Sequence, residues 1–114
     1  MKKKLAVGLF SLALMATVAV PTIAKETSVS IGSNGTASLN VYSGGASAGT
    51  YSNVLVDLIT VNVEDVTGKS NYGQAKNSRG ITKSISSKAK IFYSQHKIEQ
   101  KYVGTDYKTL KVEL

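Results

Sequence analysis

The sequence predicts a small all-β domain behind an N-terminal export segment, and three observations carry that prediction. Apolar and β-branched residues alternate with polar ones at a period of two in several short runs, above all in Val54 to Val66, VLVDLITVNVEDV, which is the spacing a half-buried strand requires. Clusters containing Gly, Asn and Ser separate these runs and supply the residues that turn a chain back on itself. Met1 to Ala24 has the three parts of a secretory signal peptide: the basic Lys2-Lys3-Lys4, an apolar run from Leu5 to Val20, and Pro21-Thr22-Ile23-Ala24 before the polar Lys25.

That apolar run is 16 residues long, short of the roughly 20 that a spanning helix needs. The expectation is cleavage after Ala24, leaving residues 25–114 as one domain with no transmembrane segment. With no cysteine in the chain, neither a disulfide nor a lipid-bearing cysteine is available. Burial and sheet hydrogen bonds must supply the stability, which favours a true β core. A cysteine-free export product suits a Gram-positive source and a secreted, extracellular or surface-associated location.

Taken in order, Thr27 to Ile31 and Ala37 to Tyr42 alternate on either side of Gly32-Ser33-Asn34-Gly35-Thr36 and read as a β-hairpin. A three-residue loop, Ser33 to Gly35 with Gly35 in the left-handed region, sets Ile31 against Ala37 and Val29 against Leu39, like with like. Ser43 to Asn53, SGGASAGTYSN, has no periodicity and reads as a flexible connection.

In the central run the apolar phase changes. A bulge at Asp57-Leu58 would align Val54, Val56, Ile59, Val61 and Val63 on one face; otherwise both faces are covered. Thr67 to Gly73 reads as a turn, Gln74 to Asn77 as a weak strand and Ser78 to Gly80 as a second turn. Ile81 to Ser87 and Lys88 to Ile98 alternate again, Tyr102 to Tyr107 forms a hairpin loop, and Leu110, Val112 and Leu114 mark the inner face of a last strand. About seven strands and no helix predict a single antiparallel β-sandwich, most simply immunoglobulin-like.

Motifs for catalysis and metal binding are absent. His96 is the one histidine and has no nucleophile-elbow spacing beside it. Glu64 and Asp65 are neighbours, so on a strand they point to opposite faces and cannot flank a glycosidic bond. No calcium loop, zinc pattern or phosphate-binding glycine loop is present. The expectation is a non-enzymatic chain with no cofactor and no bound metal.

Charge is the strongest non-random feature. Without Lys2, Lys3 and Lys4, 11 bases face 7 acids. Residues 25–66 carry a net −3 and residues 67–114 a net +7. Arg79, Lys83, Lys88, Lys90, Lys97, Lys101, Lys108 and Lys111, flanked by Phe92, Tyr93, Tyr102 and Tyr107, would form a basic sheet face if brought together. Such a face would attract an anionic cell-wall polymer or envelope surface in a salt-sensitive way, without specific nucleic-acid recognition. The opposed charges of the two halves also allow self-association through edge strands.

In size, charge and strand content the chain is similar to small, cysteine-free β-sandwich bacteriocins of Gram-positive bacteria. It shares no motif with them and has no tryptophan, so no residue role carries over. The expected function is a secreted binding or structural module at the envelope or extracellular matrix, the alternative a secreted antagonist: a bacteriocin-like protein or a small inhibitor of an extracellular enzyme.

Overall fold

A computed structural model describes residues 23–114, with side chains from Lys25 onward. The expected signal peptide thus falls outside the described residues, apart from the backbone of Ile23 and Ala24. Six antiparallel strands and no helix occupy the described chain: β1 (Ile23–Ile31), β2 (Gly35–Tyr42), β3 (Gly45–Asp65), β4 (Ser70–Ser86), β5 (Ile91–Gln100) and β6 (Gly104–Glu113).

The 21-residue β3 organises the sheet. Along one edge its first half pairs with β2, from Gly45↔Tyr42 to Ser52↔Gly35, and its second half with β5, from Leu58↔Glu99 to Asp65↔Phe92. Along the other edge it pairs with β4 for nearly its whole length. Between Tyr51 and Val56 the ladder breaks: β3 takes five steps there while β4 takes two, from Gly80 to Ser78. The surplus residues bend the strand. A straight strand of this length would reach about 70 Å, yet the longest dimension of the described residues is 41 Å.

Bending turns the two halves of β3 and β4 toward each other. The Lys83 stem and Ile81 of one half of β4 lie against Gly73 of the other, and the Asn71 amide donates to the Ser84 carbonyl at 3.0 Å. On the far side β1 and β6 run past each other in antiparallel order, with Lys25 Nζ donating to the Glu113 carbonyl at 2.6 Å and Gly32 against the Asp106 carboxylate. No backbone ladder joins those two strands, so the sheet is nearly closed.

The core fills the space between the halves. Leu39 and Val41 of β2, Ala46 and Ala48 of the first half of β3, Ile59, Val61 and Val63 of its second half, and Phe92 of β5 are all buried. Strand alternation places them on one face. Leu110 and Val112 join from β6, as their spacing predicts, whereas Leu114 is exposed.

Several expectations need correction. Six strands replace about seven, because the weak strand at Gln74, the turn at Ser78 and the strand from Ile81 are one continuous β4, kinked where Asn77 takes φ 50°. Ser43 to Asn53 is no flexible connection: a tight turn at Ser43-Gly44 leads straight into β3. The first hairpin does have a three-residue loop, but it comprises Gly32, Ser33 and Asn34, with Gly32 at φ 65°. Glycine takes that conformation without a Cβ penalty. Ile31 therefore faces Gly35 and Val29 faces Ala37, a two-residue shift that keeps every side chain on its expected face. The main ladder break in β3 lies at residues 52–55, and the pairing also skips Asp57 and Asn77, where Asn77 takes φ 50°. Val56 and Ile59, three residues apart, are both in the core, the change of phase expected at Asp57-Leu58, but Val54 and Leu55 lie outside it. Asp57 is exposed, and its carboxylate accepts from the Lys101 backbone N–H.

Candidate functional site

Two polar clusters hold the halves in place. At one end, Asp65 is 3% exposed and accepts from Thr67 N at 2.8 Å, Thr67 Oγ1 at 2.6 Å, Lys69 N at 3.1 Å and Ser87 Oγ at 2.5 Å. The hydroxyl bonds from Ser87 and Thr67, then the backbone bonds, hold its carboxyl down to about pKa 2, against the opposing effect of burial. One carboxylate thereby ties the β3–β4 turn to the segment after β4.

In the centre, His96 of β5 is 2% exposed. Its Nδ1 lies 2.7 Å from Thr50 Oγ1 and its Nε2 lies 2.6 Å from Ser94 Oγ. Thr50 Oγ1 gives its only proton to the Thr60 carbonyl at 2.8 Å, so toward the ring it accepts. His96 is therefore the Nδ1–H tautomer, and Nε2 accepts from Ser94. Burial lowers the imidazole to about pKa 4, offset in part by the Gly49 backbone. Ser94 and Thr50 are fully buried, so a substrate cannot reach this serine–histidine pair. The cluster joins the first half of β3 to β5. The signal for the burial of His96 in the sequence is the strand phase it shares with Phe92 and Ile98.

The outer face of β5 and β6 gathers four of the predicted residues. Tyr93 pairs with Lys111 and Lys97 with Tyr107. Lys111 Nζ stands 5.9 Å above the Tyr93 ring and 2.8 Å from Glu113 Oε1, and Lys97 lies 4.0 Å from Glu99. The Glu113 contact raises the Lys111 pKa and depresses its own. Asn62 and Gln95, joined at 2.8 Å, share this face with Glu64.

The other predicted residues are dispersed. Lys88 and Lys90 are exposed before β5, beside Leu114, whose N–H donates to the Lys90 carbonyl at 2.7 Å. Lys101 and the 95% exposed Tyr102 are at the opposite end, in the β5–β6 turn, with Lys101 Nζ 5.3 Å above the ring. Arg79 is exposed at the bend of β4, and Lys83 points toward the interior side with its stem over Gly73. Lys108 pairs with His96 but is exposed. Phe92 has no exposed surface; it belongs to the core, because its strand phase points inward, and offers no contact to a partner.

The remaining outer face is formed by β1, β2, the first half of β3 and the second half of β4. Glu26, Asn40, Ser47 and Ser84 make one row across it, and Ser28, Ser38, Gly49 and Thr82 the next. Ser30, Thr36, Tyr51 and Gly80 make a third. This face is not legible in the sequence, because the strand that joins β2 to β4 across it lies in the stretch read as a connection. Among the described residues no three metal-ligating side chains come together, and no helix is long and apolar enough to cross a membrane.

Fold and site thus define an all-β protein with a nearly closed six-stranded antiparallel sheet and two chemically different outer faces. The chain matches no family model, no curated protein and no solved structure.

Proposed function

We propose that the protein is an exported, non-enzymatic binding module that acts at an anionic surface of the cell envelope or extracellular matrix. The bound surface is a phosphate- or carboxylate-bearing polymer, and the basic residues of the C-terminal strands are the contact. We read the two facing halves of the sheet as the layers of a sandwich, a rigid support for that contact. The observation that carries the reading is the distribution of cations. Of the eight basic residues singled out, only Lys97 and Lys111 stand within 4.0 Å of a carboxylate among the described residues. The other six have no such partner, and attraction of an anionic polymer to them is a screened, long-range effect.

Retention of the purified chain on isolated cell walls at low and high salt tests this. The proposal expects retention at low salt that is lost at high salt and weakened by Lys88→Glu with Lys90→Glu, two exposed cations without a carboxylate partner among the described residues. Absence of retention at low salt would contradict it.

A further inference from the structure

The hydroxyl-lined face has a composition that solubility alone does not require. Outer strands are ordinarily kept soluble and unpaired by interspersed charges, and the other outer face follows that rule with Glu64, Lys97, Glu99 and Lys111. Of the 18 charged side chains in residues 25–114, only Glu26 stands in the three rows of the hydroxyl-lined face.

One tyrosine lies down on this face and a second approaches it. A Cβ placed on Gly49 would collide with the Tyr51 hydroxyl and ring, and one placed on Gly80 would meet the same ring at 3.0 Å. Tyr51 therefore lies across both glycines, held by its hydroxyl 3.0 Å from Thr82 Oγ1. Tyr42 brings one ring carbon to 3.3 Å from the corresponding position on Gly45. A ring pressed flat against a sheet turns its other π face outward. Tyr42 pairs with Gly45, six residues from Tyr51 along β3, so their backbone positions are about 20 Å apart along the strand direction, and the Tyr51 ring leans over Gly49 toward Tyr42. Between and beside them are serine and threonine hydroxyls, which donate or accept as a partner demands.

We propose that this face binds an uncharged polysaccharide, with the Tyr51 and Tyr42 rings as stacking platforms for sugar rings and the serine and threonine rows as partners for sugar hydroxyls. Glu26 and Asn40, adjacent in one row, offer an acceptor and an amide to neighbouring hydroxyls at its border. An anionic polymer gains nothing from a face whose only formal charge is negative. An uncharged glycan fits because its apolar ring faces and its hydroxyls match the two kinds of group presented. This binding uses a different face from the basic contact and stands without it.

The test is co-sedimentation of the purified chain with cellulose, chitin and cross-linked dextran in high salt, where ionic attachment is screened. The expected result is salt-insensitive binding to at least one of the three, weakened roughly tenfold, or about 1.4 kcal/mol, by Tyr51→Ala. Because Tyr51 covers two glycines, Ser84→Arg provides a second variant at an exposed position, and it should also block binding. Lys97→Glu with Lys111→Glu should leave binding intact. No binding to any of the three, or binding that Tyr51→Ala and Ser84→Arg both leave unchanged, overturns the proposal.

Discussion

The first half of β3, Gly45 to Tyr51, and its second half, Val56 to Asp65, obey opposite rules of strand composition. The second half reads Val-x-x-Ile-x-Val-x-Val, and its β-branched side chains fit a pleated, half-buried surface on their own account. The first half reads Gly-Ala-Ser-Ala-Gly-Thr-Tyr, with intrinsic strand preference only at Thr50 and Tyr51. It is a strand because β2 and β4 pair with it on both sides, and its small side chains let Thr50 come within hydrogen-bonding distance of His96. One half is specified by its own side chains and the other by its neighbours.

The largest blow to the self-specified half is Phe92→Ala. Phe92 is fully buried opposite Asp65, so a cavity there should cost about 3–5 kcal/mol, read as a fall in the urea midpoint.

Next in size is the tie between the halves. His96 is neutral in the folded protein down to about pH 4, whereas the unfolded chain takes up a proton below about 6.5. Its folded pKa is depressed, so stability should fall as pH drops from about 6.5 to 4 and then level off, by about 3 kcal/mol in all. Denaturant midpoints measured across that range check the slope, and His96→Gln should flatten it. Asp65 works in a separate window. Its contribution is present above pH 3.8 and lost as pH falls toward 2, so Asp65→Asn should alter stability at neutral pH without removing the histidine slope.

A smaller effect is expected in the neighbour-specified half. A methyl at Gly45 meets the Ile85 carbonyl, a backbone atom that moves only with its strand, so Gly45→Ala should lower stability by about 1–3 kcal/mol.

These effects mark what the sequence makes legible. Period-two alternation was enough to identify an all-β chain, the buried faces of the second half of β3 and of β6, and the three-residue length of the first hairpin loop. The Gly45 to Tyr51 strand was illegible, since propensity and periodicity are both weak where pairing on two edges decides the conformation. The loop placement failed for a local reason: Gly32 and Gly35 both accept positive φ, and only the register of the whole pair chooses Gly32. Of the predicted contact residues, alternation joined Tyr93, Lys97, Tyr107 and Lys111 on one outer face. Lys88, Lys90, Lys101 and Arg79 are dispersed because turns and bends carry them to opposite ends. The hydroxyl-lined face was hidden with the strand that joins β2 to β4 across it.

Amide hydrogen exchange across residues 45–51 tests the central claim most directly, that β3 runs as a strand through its Gly/Ser/Ala-rich first half. Paired on both edges, those amides should be protected to nearly the same degree as those of Ile59 to Val63. Exchange at the rate of an unstructured chain would contradict it.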